Sequence, residues 1–238
     1  MSKIVLAELS EEVRSEVARV RENVAQLHAE LVRYDLVIWT AGNVSERVPG
    51  TDLFVIKPSG VSYDDLDASA MVVCTLDGEK IDDGTPDRLV PSSDTAAHAY
   101  VYRHMDHVGG VVHTHSTYAT AWAARAEAIP CVLTMIADEF GGEIPVGPFA
   151  LIGDDSIGRG IVDTLRHSRS RAVLMAGHGP FTIGSDARDA VKAAVMVEDV
   201  ARTVHIARQL GEPAPIAAHH VDALFDRYQN VYGVREDL

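Results

Sequence analysis

Between residues 10 and 34 the apolar side chains fall at Val13, Val17, Val20, Val24, Leu27 and Leu31. These alternating steps of four and three put them on one stripe of a helix. Ser10 followed by Glu11 and Glu12 supplies an N-cap and an acidic first turn, so the spacing predicts a helix over 10–34. Beyond it the pattern shortens. Compact apolar, β-prone runs at 36–39, 53–56, 71–76, 108–113, 132–135 and 172–176, separated by Gly, Pro and Asp clusters, predict strands. Helical patterns return at 93–104, 117–126, 155–166, 186–209 and 221–228. Elements mixed in this way predict an α/β fold. The expectation is a single domain over 1–238, with three α/β/α layers around a central mixed, mostly antiparallel sheet.

Two of the predicted strands end in histidine. His113 and His115 close the run at 108–113, and residues two apart on a strand point to the same face. His178 follows the apolar run at 172–176. Two strand ends delivering imidazoles are one way to assemble a three-histidine zinc site, which leaves a tetrahedral ion one open position for substrate or a carboxylate. Asp94, at the start of the helix predicted over 93–104, is the carboxylate candidate. The alternative reading is that it complements the helix dipole. His98, His104 and His107 lack comparable placement and read as core or surface residues.

Three tight turns carry small hydroxyl residues: 42–45, 57–60 and 91–93. One of them has a lysine directly after a strand. A phosphate dianion needs a positive charge with convergent N–H and O–H donors, which Asn43, Lys57, Ser59, the Gly60 amide, Ser92 and Ser93 could supply. Ordinary strand-to-helix turns use the same residue types. Further along, Asp138 and Glu139 precede a glycine pair, as a general acid or base or as solvated loop acids. Near the end of the chain Tyr232 offers a phenolic proton, or an anchor for the last helix.

Composition narrows the field. The 238 residues are 47% hydrophobic, enough for a substantial core, and the formal net charge is −14. That charge disfavours nucleic acid and anionic membranes as partners. It also makes a local device necessary wherever a phosphate is to be held. Only Cys74 and Cys131 are present, both beside apolar neighbours, which suits free thiols in a reducing compartment. With no signal-peptide pattern and no apolar run of membrane-spanning length, the expectation is a soluble cytoplasmic protein.

Taken in order, GNVS (42–45), FVIKPSGVSY (54–63), MVV (71–73), PSSDT (91–95), GGVVHTHS (109–116), HGPF (178–181) and Tyr232-Gly233 resemble the class II aldolase/epimerase superfamily. Its L-ribulose-5-phosphate 4-epimerase branch is the most similar. The resemblance implies a zinc ion held by His113, His115 and His178 with Asp94 at the metal. It implies a sugar-phosphate substrate bound by Asn43, Lys57, Ser59, Gly60, Ser92, Ser93 and Thr134. It further implies Asp138 as acid/base with Tyr232, contributed by a neighbouring subunit of a homotetramer. Sugar-phosphate aldolases of the superfamily usually carry glutamate where this chain has Asp94. The expected activity is therefore epimerisation of L-ribulose 5-phosphate to D-xylulose 5-phosphate by retro-aldol cleavage and re-formation of the C3–C4 bond. The alternatives are an L-fuculose-1-phosphate aldolase-like lyase and a non-catalytic module like that of adducin.

Overall fold

The computed structural model describes residues 3–231. Its first helix, α1 (Glu11–Arg33), starts where the sequence places it, with the Ser10 hydroxyl accepting the Val13 N–H at 3.3 Å. Val17, Val20, Val24, Leu27 and Leu31 of the predicted stripe are buried, and so is His28. That imidazole donates from Nδ1 to the Val24 carbonyl at 2.7 Å and accepts the Val44 N–H on Nε2 at 3.0 Å. Burial pushes its pKa down to about 3, so it is a neutral bolt between α1 and the sheet.

The sheet has seven strands: β1 (Asn43–Arg47), β2 (Leu53–Ile56), β3 (Val72–Thr75), β4 (Gly110–His113), β5 (Val146–Gly147), β6 (Ala172–Met175) and β7 (Gly179–Gly184). Their order is β3-β2-β1-β4-β7-β6-β5, and every pairing is antiparallel except β5 with β6. The mixed, mostly antiparallel sheet of the sequence reading is thus present. Because side chains alternate across a strand, both faces are apolar. Val44, Val55, Val73 and Val112 pack with α1 and the start of α6 (Ala187–Leu210). Phe54, Ile56, Val72, Val111, Phe181 and Ile183 pack on the other side with α2 (Thr95–His104) and α5 (Ser156–Leu165). The short helices α3 (Thr117–Ala124) and α4 (Thr134–Phe140) join α6 over β6, and α7 (Ala218–Asn230) is the last described element. No helix among the described residues is long and apolar enough to cross a membrane.

Three local expectations fail. The run 36–39 forms no strand: Leu36 is buried, but Trp39 is 88% exposed with a φ of +57°. The chain bends sharply at Gly42 (φ +84°), where a Cβ would lie 2.7 Å from Val37 Cγ1, so the strand begins after that turn rather than before it. The run 132–135 opens α4 instead of a strand, because Ile136, Ala137 and Phe140 fall at the spacing of one buried helix face. β7 has no counterpart in the sequence reading. Its Gly179-Pro180 start and Gly184 end look like turn punctuation, yet all six residues are buried.

Candidate metal centre

Antiparallel pairing of β4 with β7 sets His113 opposite Phe181, and the turn from β6 into β7 carries His178 back to the same end of the sheet. His115 follows β4 by two residues. The three imidazoles converge: ring centroids are 4.7 Å apart for His113 and His115, 4.5 Å for His113 and His178, and 5.3 Å for His115 and His178. One nitrogen from each ring lies within 4.8 Å of the other two.

The orientation of His113 is fixed on both sides of its ring. Nδ1 donates to the Pro180 carbonyl at 3.0 Å, and the ring stacks on Phe181 with centroids 4.1 Å apart and planes 14° from parallel. A carbonyl can only accept, so the proton is on Nδ1 and the Nε2 lone pair is free. That Nε2 is buried without a protein partner, as is Nδ1 of His178. Burial, reinforced by repulsion from His178 and His115, pushes His113 down to about 3 against the pull of Asp94. Burial also lowers His115 and His178, with Asp94 opposing. The result is three neutral imidazoles at neutral pH, one with its far nitrogen anchored on a backbone oxygen. This is the state and the outer support that a divalent cation requires of its ligands.

Asp94 is not part of the three-histidine group but acts on it electrostatically. It occupies the N-cap position of α2, but its side chain does not cap the helix. Oδ2 accepts from Asn43 Nδ2 at 2.8 Å, while Oδ1 is buried and unpartnered. Burial raises its pKa, but His113, His98, Asn43 and His178 together hold it below the ordinary aspartate value, so it is ionised. The side chain bonds Asn43 rather than capping the helix, and it interacts electrostatically with His113 and His178.

Beside it, the turns at 57–60 and 91–93 are clamped together. Pro58 and Pro91 form an antiparallel bridge, Ser59 N–H donates to the Val90 carbonyl at 2.8 Å, and Ser92 N–H donates to the Lys57 carbonyl at 3.1 Å. Asn43 Nδ2 also donates to Ser92 Oγ at 3.0 Å, which ties this rim to β1. Lys57 is 2% exposed; its ammonium donates to the carbonyls of Thr40 (3.1 Å) and Pro58 (3.3 Å) and lies 5.3 Å from the centre of the Tyr63 ring. Burial lowers its pKa to about 8. Ser59, Gly60 and Ser93 are exposed around this buried base. The structure therefore gathers Asn43, Lys57, Ser59, Gly60, Ser92 and Ser93 next to Asp94.

The remaining predicted residues are not part of the three-histidine group. Thr134 is exposed at the start of α4. Glu139 is fully buried and its carboxylate meets Lys192 Nζ at 3.1 Å. Asp138 is partly buried, with burial raising its pKa and Arg227 lowering it. Tyr232 lies outside the described residues. His98, read from sequence as core or surface, is buried and forms a hydrogen-bonded chain with Ser45 of the 42–45 turn and with Tyr102, to which the sequence assigned no role. The one available signal was the spacing of His98, four residues after Asp94 and hence on the same helix face.

Residues 22–205 match the class II aldolase and adducin N-terminal domain family, and the chain belongs to that family. Among solved structures it is similar to an L-fuculose 1-phosphate aldolase, with 26% identity, 89% of this chain and 96% of that chain covered, and a TM-score of 0.82. It is also similar to YgbL from Klebsiella pneumoniae, a candidate aldolase/epimerase/decarboxylase, with 29% identity, 87% and 98% covered, and a TM-score of 0.74. The L-fuculose-1-phosphate aldolase from Thermus thermophilus, at 24% identity, shares the fold, with 84% and 100% covered and a TM-score of 0.68. Class II aldolases depend on divalent metal, and the three histidines fit such an ion.

Proposed function

We propose that this protein is a divalent-metal enzyme that breaks a carbon–carbon bond of a sugar phosphate by retro-aldol chemistry. The observation that carries the reading is the adjacency of three neutral histidines, an ionised Asp94 and the rim built on Lys57 and Asn43. An adducin-like module resembles the enzymes in fold but lacks these histidines.

His113, His115 and His178 would hold the ion, with Asp94 beside it; a three-histidine set with a carboxylate suits zinc. When bound, such an ion supplies Lewis-acid stabilisation of the negative charge that develops on the substrate as the bond breaks. The residues of the chain do the rest. Lys57, Asn43, the two serine turns and the Gly60 amide bind the phosphate and fix the register of the sugar. Ionised Asp94 can accept the proton of a substrate hydroxyl. Asp138 and Tyr232 serve as the further acid/base pair, delivered to the histidine centre of a neighbouring subunit in a homotetramer.

The similarity to an L-fuculose 1-phosphate aldolase over most of the chain favours net cleavage to a ketone phosphate and an aldehyde. A second reading is supported by Asp94, which stands where sugar-phosphate aldolases usually have glutamate. In it the fragments recombine on the other face, and L-ribulose 5-phosphate becomes D-xylulose 5-phosphate. The test is to incubate zinc-loaded protein with L-fuculose 1-phosphate and, separately, L-ribulose 5-phosphate, following products by NMR. Accumulating aldehyde supports the aldolase, and D-xylulose 5-phosphate without free aldehyde supports the epimerase. No turnover of either sugar would overturn both.

A further inference from the structure

Helix α3 begins two residues after His115, and its first turn is capped from elsewhere in the chain. Ser116 holds the N-cap position, but its side chain makes no capping bond; the hydroxyl is buried and Thr114 Oγ1 donates to it at 3.3 Å. The cap comes instead from Glu198 on α6, 80 positions beyond Tyr118. Its Oε1 accepts the Tyr118 N–H and its Oε2 accepts the Ala119 N–H, both at 2.9 Å. Both carboxylate oxygens thus engage consecutive amides that have no partner inside the helix, and the helix dipole adds to the attraction. A second contact with α6 follows one turn later, where the Ala201 carbonyl accepts from Trp122 Nε1 at 3.2 Å. At the far end of α3 the Ala123 carbonyl accepts the Gly177 N–H at 2.9 Å, one residue before His178.

Helix α3 therefore stands between two of the three imidazoles, joined to His115 through the chain and to His178 through that last bond. His113 needs no such support, because its own ring is tied to Pro180 and stacked on Phe181. The His115 ring makes no hydrogen bond among the described residues, so its place follows from its backbone. That backbone is fixed by β4 on one side and by the seat of α3 on the other. A cap from Ser116 would bind the helix only to itself, whereas a cap from α6 binds it to the core. We infer that Glu198 is a positioning residue for the metal centre: by seating the first turn of α3 on α6 it holds His115 in place and sets its spacing from His178. The consequence for metal rests on the reading that these histidines hold the ion. The mechanical link from Glu198 to His115 does not.

Two sets of measurements on the full-length protein separate this role from ordinary helix capping, and neither uses a sugar. In 15N-labelled, metal-free protein, Glu198→Ala should speed hydrogen exchange of the Tyr118 and Ala119 amides about ten-fold while leaving β4 as in wild type. In the same sample the His115 ring signal, assigned by its absence in His115→Ala, should shift or broaden while that of His113 stays in place. An unmoved His115 signal would overturn the proposal. Zinc affinity is then measured by chelator competition. Glu198→Ala should weaken zinc about ten-fold, as loss of a supporting partner does, and Glu198→Gln, which keeps one acceptor oxygen, should weaken it less. Ser10→Ala, which removes the cap of α1 instead, should lower Tm but leave zinc affinity unchanged. Equal zinc losses in Glu198→Ala and Ser10→Ala, or wild-type affinity in Glu198→Ala, would overturn the positioning role. Should Glu198→Ala fail to fold, Glu198→Gln gives the same readouts at smaller amplitude. If wild type bound no zinc, the metal-enzyme reading would fall, while the amide and ring signals would still decide the link to His115.

Discussion

Asn43 and Asp94, 51 positions apart in the chain, are joined by a 2.8 Å hydrogen bond in which the amide donates to the carboxylate. The same amide nitrogen donates to Ser92 Oγ at 3.0 Å, so one side chain spans the proposed phosphate rim and the histidine centre. Asn43→Ala should cost about 1–3 kcal/mol of stability by leaving the buried Asp94 oxygen unpaired. Asn43→Asp should be worse, because it faces one buried carboxylate with another. Denaturant unfolding of the metal-free proteins measures both; an Asn43→Asp protein as stable as wild type would contradict the geometry.

His113→Ala and His115→Ala should abolish stoichiometric zinc or other divalent-metal binding while leaving the sheet intact. Metal analysis after dialysis, alongside circular dichroism, checks both halves of that statement. Full metal content in either variant would show that the ion is held elsewhere.

Lys57 is the cation of the proposed phosphate rim. Lys57→Met should weaken phosphorylated substrates by about 1.5–3 kcal/mol, the range of a charge-assisted contact, and spare unphosphorylated analogues. Because burial lowers the lysine to about 8, its charge is present below that pH and lost above it. KM for a phosphorylated substrate should therefore rise as pH passes 8. A flat KM profile from pH 7 to 9.5, or equal losses for both kinds of substrate, would remove Lys57 from phosphate binding.

Buried histidines set the acid limit of the fold. His28 and His98 are lowered from 6.5 to about 3 and about 4 by burial, which Asp94 opposes at His98. The unfolded chain then binds more protons between those values and 6.5. The stability these residues confer is complete above pH 6.5 and is lost progressively as pH falls toward 3. Thermal melts of metal-free protein from pH 7.5 to 4 should show a falling Tm. A Tm independent of pH would refute the burial of these rings.

Glu139 and Asp138, adjacent in sequence, should separate by experiment. Lys192→Met strands the buried Glu139 carboxylate and should destabilise the fold by about 1–3 kcal/mol. Asp138→Asn should fold normally but lose turnover. The reverse pattern, with Asp138→Asn active and Glu139→Gln folded but inactive, would transfer the acid/base role to Glu139.

The regular parts of the molecule were the legible ones. The stripe from Val17 to Leu31 and the capping Ser10 are short-range signals, and α1 follows them to the residue. The histidines were legible because a period of two, ended by an apolar strand, constrains direction. Gly42 and Gly179-Pro180 misled, since residues that break most strands here sit at the very start of β1 and β7, where tertiary packing decides. His98 could be read only as a core or surface residue for a related reason: a single histidine within a helix has no periodicity. Only the neighbouring Ser45, brought in by β1, shows that its ring is wired to anything.

The opposition of His113 and Phe181 across β4 and β7 has an evolutionary corollary. A one-residue insertion or deletion in either strand would exchange its two faces and turn the imidazole away from the others. Gly110 adds a second stop, because a Cβ there would fall 2.4 Å from the Ala187 nitrogen at the start of α6. Length changes among descendants of this chain should therefore collect in exposed stretches such as 149–152. The segments 110–115 and 178–184 should pass through divergence without a gap, even where the residues between the ligands are replaced.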